Sequence, residues 1–115
     1  MISSVYNNIS ALFAFGTKMG VNANNLANVN TDEFKKSRAD IVETSHGSVE
    51  AEVSRVDTPG SLYSEPGDPT IREMSNVDMA EEVVQTIPTQ NGYQANLKMI
   101  SVYDEMLGSV INIIK

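Results

Sequence analysis

Reaction chemistry starts from titratable and nucleophilic side chains held at fixed spacing, and this chain offers few of them. Its single histidine, His46, stands in the turn-type stretch TSHGS, where a solvent-facing turn residue outweighs a catalytic base. Glu81 with Glu82 and Asp104 with Glu105 are adjacent carboxylates. Neighbours on a helix point about 100° apart, so neither pair shares a proton; they read as helix-end and solvated-face charges. One histidine among scattered carboxylates gives no metal-ligand spacing. Cysteine is absent, which removes thiolate nucleophiles, disulfides and zinc-thiolate sites without fixing the redox compartment. No glycine-rich phosphate loop follows a strand, and G-x-S-x-G does not occur. The sequence therefore predicts no enzyme, no cofactor and no metal.

The polar side chains that do recur are amides. Asn24, Asn25, Asn28 and Asn30 lie close together in "ANNLANVNTDEFKK", Ala23 to Lys36, among residues that otherwise read as helix. Asparagine is a poor interior helix former because its amide competes for nearby backbone groups. What these amides offer is hydrogen bonding, either as a frayed C-terminal cap or across an interface. For Asn28 and Asn30 both roles stand open, whereas Asn24 and Asn25 favour the interface. The sequon Asn8-Ile9-Ser10 falls on the first helix and carries no weight. Most of the six methionines read as core filler, with Met19, Met79 and Met99 on or near apolar stripes.

Composition narrows the partners. With 41 % hydrophobic and 20 % charged residues the chain reads as soluble, and no apolar run reaches the roughly 20 residues of a membrane span. The net charge of −7, with no basic patch, argues against nucleic acid. The N-terminus "MISSVYNNIS" lacks a basic region before a sustained apolar core, so no cleaved export signal is expected. Charge is unevenly placed: Lys18 is the only charged residue from Met1 to Thr31, none occurs from Gln85 to Leu97, and the centre carries most of the rest.

The elements follow from apolar spacing. Val5, Ile9, Leu12, Gly16, Met19, Ala23 and Leu26 repeat 4-3-4-3-4-3, a heptad seam. Ser3 or Ser4 is the expected N-cap, the helix should end near Asn28 to Asn30, and its length is roughly 35 Å. Leu97, Ile100, Asp104, Leu107, Ile111 and Ile114 repeat 3-4-3-4-3, with Tyr103 and Val110 widening the stripe and Met79, Val83 and Ile87 extending it upstream. One helix over 77–114 is expected, with Asn76 as N-cap and acids at Asp78, Glu81 and Glu82 suited to its start. Pro88 and Gly92 predict a kink between Val84 and Gly92, and "QNGY" offers a hairpin break as the rival reading. In the centre, Val49, Ala51 and Val53 alternate with Glu50, Glu52 and Ser54 as a half-buried strand. Its partner is either the segment Ala39 to Thr44 or "SLYS" after Pro59. Thus one mainly α domain is expected in three parts: a helix over 1–30, a β-hairpin and turn-rich connection over 31–76, and a helix over 77–115.

Both ends resemble a known family. "ANNLANVNTDEFKK" is similar to the N-terminal signature of bacterial flagellar rod and hook proteins. "SNVDMAEEVVQTIPTQNGYQANLKMISVYDEML" is similar to their C-terminal signature, and the resemblance covers Met1 to Arg38 and Asn76 to Lys115. "LYSEPGDP" is similar to a short segment of the small proximal-rod proteins. The chain departs from the pattern at Glu33, where the family usually has glycine, at Pro88 and Gly92 within a usually uninterrupted helix, and in a centre shorter than that of hook and distal-rod relatives.

The resemblance implies terminal helices that pair as an antiparallel coiled coil and pack beside those of neighbouring subunits, and export without a cleaved signal to the basal body. Partners would be other rod or hook subunits, further copies of the chain, and the flagellar export apparatus. The implied assembly residues are Val5, Ile9, Leu12, Met19, Asn24, Asn25, Leu26, Asn28, Gln94, Asn96, Leu97, Ile100, Leu107, Ile111 and Ile114. An adaptor or regulatory protein that kept the family's ends but enters no filament is the alternative.

Overall fold

The computed structural model of the chain describes residues 2–45 and 47–114, so the turn reading of His46 lies outside the described residues. Helices α1 (Ile2–Ala27) and α2 (Met79–Ile114) flank a hairpin of β1 (Ser37–Glu43) and β2 (Val49–Arg55), followed by the two-residue strands β3 (Leu62–Tyr63) and β4 (Arg72–Glu73). The fold is mainly helical and elongated, with extents of 81 × 26 × 14 Å.

α1 begins at Ile2, ahead of Ser3 and Ser4, so neither is its N-cap; a helix end moves by a residue or two at little cost. At the other end the amides close it. The Asn28 backbone N–H donates to the carbonyls of Asn24 and Asn25, its side-chain Nδ2 donates to the Asn24 carbonyl at 2.9 Å, and its Oδ1 accepts from Thr31 Oγ1 at 3.1 Å. The last carbonyls of α1 thereby find partners. The turn then passes through Glu33 at φ +60°, a left-handed conformation that costs any residue with a Cβ. The position keeps the geometry of a glycine without the residue. Its N–H donates to the Glu73 carbonyl at 2.8 Å, which ties the turn to β4.

β2 pairs with β1, not with "SLYS": the ladder is antiparallel from Ser37↔Arg55 to Glu43↔Val49. Leu62 and Tyr63 pair instead with Arg72 and Glu73, a second small sheet that the sequence reading leaves as loop. The hairpin lies along α1. Ala39 is buried, and the Val49 N–H donates to Ser10 Oγ at 3.2 Å.

α2 starts two residues later than the spacing suggests, and its cap is Asp78 in place of Asn76. Asp78 Oδ1 accepts from Ala80 N at 2.8 Å and Glu81 N at 3.3 Å, the usual satisfaction of first-turn donors. Asn76 is drawn elsewhere, into the contacts described below. The helix then runs without a break through Pro88 and Gly92, so the hairpin alternative at "QNGY" is not realised. Pro88 and Val84 both lie on the exposed side. The carbonyl that Pro88 leaves unbonded therefore faces outward, where losing its partner costs least.

The two helices run side by side in opposite directions. The end of α1 and the start of α2 meet near Lys36, and further along Phe15 lies against Gly92. A Cβ on Gly92 would come within 2.4 Å of the Phe15 ring, so the glycine is a notch that admits the ring. That packing role, and not a turn, explains a glycine inside a helix. From this contact α1 has only thirteen residues to its start, whereas α2 has twenty-two to its end. α2 therefore overruns α1 by about 13 Å.

Candidate assembly surface

α2 turns an unexpected face inward. On α2 the covered column is Glu82, Thr86, Thr89, Tyr93, Asn96, Ile100 and Tyr103, all buried or half-buried. It keeps the heptad spacing but shares only Ile100 with the apolar seam. The apolar positions Met79, Val83, Ile87, Leu97, Leu107, Ile111 and Ile114 point away, 46–80 % exposed. On α1 the most covered residues are Ala14, Asn22 and Asn25. Val5, Leu12, Met19 and Leu26 are half-buried, and Ile9 is exposed beside Tyr6 and Phe13.

This inversion is tolerable because the inward Thr86, Thr89 and Asn96 side chains bond within α2 itself. Thr86 Oγ1 donates to the Glu82 carbonyl, Thr89 Oγ1 to Gln85, and Asn96 Nδ2 to Gly92, at 2.8–2.9 Å. A side chain that bonds to its own helix one turn back can be buried without a partner on the other helix.

The asparagines divide by role. Asn25 is fully buried, and its amide forms two bonds with one residue of β1: Nδ2 donates to the Ser37 carbonyl at 2.8 Å, and Oδ1 accepts from Ser37 N at 3.0 Å. It occupies the edge of β1 as a neighbouring strand would. Asn28 closes the helix, Asn96 bonds within α2, and Asn24 and Gln94 are exposed.

Asn76, expected from the sequence as the N-cap of α2, instead joins three segments. Its Oδ1 accepts from Lys36 N at 2.7 Å, and its Nδ2 donates to the carbonyls of Val56 and Thr58 at 2.8 and 2.9 Å. The clue lay in its place between the hairpin and α2, where an amide competes for open backbone groups.

Around Asn76 the charges are paired. Lys35 bonds Glu73, Lys36 bonds Glu81 at 2.7 Å, and Gly60 N donates to Glu73 at 2.6 Å. The Lys35 ammonium, aided by the Gly60 N–H, holds the Glu73 carboxyl below the usual carboxylate range. Tyr63 donates to Asp32, which pushes its phenol up because ionisation would break that bond. No residue cluster among those described has the make-up of a metal site. A polar cleft of about 380 Å³ opens between α1, β1 and the first turns of α2, lined by Lys18, Asn22, Arg38, Asp40 and Glu82 among others. No described helix is long and apolar enough to cross a membrane.

Comparison with known proteins matches both ends. Residues 6–35 fit the family described as Flagella basal body rod protein, and residues 71–113 fit the Flagellar basal body rod FlgEFG protein C-terminal family. The chain is 44 % identical over 41 residues to the flagellar basal-body rod protein FlgG of Bacillus subtilis (strain 168), across 36 % of this chain and 16 % of that protein. It is 42 % identical over 43 residues to the flagellar hook protein FlgE of Borreliella burgdorferi, across 37 % of this chain and 10 % of that protein. Only a small share of either relative is therefore represented. The matched segments coincide with α1 and its closing turn and with α2 and the strand before it, and on these grounds the chain belongs to the flagellar basal-body rod and hook family.

Proposed function

We propose that the chain is a structural subunit of the flagellar rod or hook axis, joined to copies of itself and to related subunits through the outer faces of α1 and α2. The observation that carries this reading is the outward apolar stripe of α2. Met79, Val83, Ile87, Leu97, Leu107, Ile111 and Ile114 are all about half exposed or more, and Val110 and Ile113 join them at the overrunning end. The stripe is interrupted by Gln90, Gln94 and Asp104, yet so many exposed apolar side chains on one helix exceed what a monomer normally leaves in water and mark an interaction surface. Its heptad spacing suits a helix from another chain, so coiled-coil contacts lie between subunits as well as within one. On α1 the outward apolar side chains are Ile9 with Tyr6 and Phe13, while Val5, Leu12, Met19 and Leu26 are half-buried and reach the contact only in part; Asn24 and Gln94 are the exposed amides that hydrogen-bond across the contact. Asn25, Asn28 and Asn96 support that surface from inside the subunit. Export through the flagellar apparatus to a rod lying in the periplasm follows from the same reading.

Replacing Ile111 by Asp tests it. The monomer's circular dichroism stays unchanged because Ile111 is 61 % exposed near the end of α2, while assembly in vitro and motility in cells are lost. An Ile111→Asp chain that assembles and supports motility would contradict the proposal and favour an adaptor that stays outside the filament.

A further inference from the structure

The hairpin leaves both of its edges open, and the bonds that flank its ladder show which groups are involved. Thr44 N donates to the Ser48 carbonyl and Val56 N to the Lys36 carbonyl, at 2.8 and 2.9 Å, on either side of the pairing from Ser37↔Arg55 to Glu43↔Val49. Hydrogen-bonded pairs alternate along an antiparallel ladder. Arg38, Asp40 and Val42 therefore bond across to β2, while Ser37, Ala39, Ile41 and Glu43 turn their N–H and C=O groups away from it. On β2 the outward residues are Val49, Ala51, Val53 and Arg55.

α1 covers one end of each edge. Asn25 meets both main-chain groups of Ser37, and Ser10 Oγ accepts from Val49 N. The outward groups of Ala39, Ile41 and Glu43 on β1, and of Ala51, Val53 and Arg55 on β2, meet no partner among the described residues. Ala39 is only 3 % exposed and lines the cleft between β1 and α2, which do not pack on each other. Asn22, 6 % exposed on the same cleft, has a buried Nδ2 with no acceptor. Sheltered main-chain groups and an amide donor without partners mark an incomplete site, and an open strand edge is a template for another strand. Lys18, Lys36 and Arg38 balance Asp40, Glu81 and Glu82 around the cleft, so uncharged main chain suits it better than an ion.

We propose that in the assembled state β2 of one copy adds to the outer edge of β1 of the next. This rests on the assembly reading above and adds its partner, a second copy, and its register. The three open residues on each edge match in antiparallel order: Ala39 faces Arg55, Ile41 faces Val53 and Glu43 faces Ala51 of the other copy. A slip one way would need Ser37 and Val49, which Asn25 and Ser10 already hold; a slip the other way leaves Ala39 open. The matched register sets Asp40 opposite Ser54 of the other copy, whereas within the hairpin it faces Glu52, so no like charges oppose across the new ladder. The added strand also brings carbonyl oxygens to the cleft where Asn22 Nδ2 lacks one. The two edges lie on opposite sides of one hairpin. The contact is therefore heterologous and propagates from copy to copy.

The test uses the full chain, with the critical concentration for assembly read by sedimentation. Ala39→Pro removes an outward N–H and places a ring on the edge without breaking a bond to β2, a position where edge strands accept proline. The monomer's circular dichroism should stay unchanged while the critical concentration rises about tenfold or more. Val53→Pro, on the half-exposed opposite edge, should do the same, and it decides if Ala39→Pro unfolds the hairpin. The chain has no cysteine, so a mixture of Asp40→Cys and Ser54→Cys variants reads the register. Oxidation of the assembled mixture should link the two, because facing Cα atoms at a pair without hydrogen bonds lie about 4.5 Å apart. A stronger link from Asp40→Cys to Glu52→Cys, or assembly with no link, would overturn the pairing. So would proline variants that both assemble at the wild-type concentration, and in that case the assembly reading itself stands. A wild-type chain that stays monomeric at every concentration overturns both.

Discussion

At the end where α1 closes and α2 begins, Asn25, Asn28, Asn76, Asp78, Lys35, Lys36, Glu73 and Glu81 all find partners inside the chain. At the opposite end, from Met106 to Ile114, α2 carries no charge, and most of its large apolar side chains point into solvent. The first region is a finished piece of folded protein, whereas the second is a half-interface. The contrast separates what a subunit must settle alone from what its neighbours settle for it. Its junction needs fixed geometry to aim two long helices, and fixed geometry comes from directional hydrogen bonds. Its far end needs only an apolar surface, because burial is non-directional and the neighbour supplies the other half.

Substitutions sharpen this division. The largest effect belongs to Gly60→Ala at the junction, where an added Cβ would lie 2.0 Å from the Met74 carbonyl oxygen. Backbone cannot move aside as a side chain does, so the variant should lose about 3 kcal/mol, read by urea unfolding. Next is Asn25→Ala, which leaves the half-buried backbone N–H and C=O of Ser37 without their partner and should cost about 2 kcal/mol. The hairpin should then show faster amide exchange, while the distal turns of α2 exchange as before.

Gly92→Ala acts on the contact between the helices. The new methyl meets the Phe15 ring, and the strain is partly offset by the better helix propensity of alanine. A net loss of about 1 kcal/mol is expected, and Phe15→Leu in the same chain should recover part of it. The smallest effect is Glu33→Gly, which relieves a left-handed residue but loosens the unfolded chain. A gain of about 0.5 kcal/mol is expected, seen as a slightly raised melting temperature.

Much of this was legible in the residues. The two helices, their heptad spacing and the β2 strand stand in the apolar pattern, and the paired signatures at Ala23–Lys36 and Ser75–Leu107 point to the family. Which face of α2 meets α1 did not stand there. The apolar seam is the obvious candidate, but Phe15 packs against Gly92, where a Cβ would come within 2.4 Å of its ring. That choice turns the polar Thr86, Thr89 and Asn96 column inward and the seam outward. Tertiary contacts, the Phe15–Gly92 fit among them, set the face where hydropathy alone would choose another. The cap at Asp78 was misplaced to Asn76 because both are good N-caps, and only tertiary contacts with Lys36 and Val56 decide between them. The cleft was hidden for a similar reason: Asn22 and Glu82 meet there from elements far apart in sequence.

Amide hydrogen exchange of the full chain across a concentration series tests the central claim most directly. The account predicts that Ser37 to Glu43 and the first turns of α2 are protected at every concentration. The amides of Met106 to Ile114 should exchange freely when dilute and become protected as assembly sets in. Equal protection of both regions at all concentrations would mean that the far end is complete in the monomer, and would contradict the account.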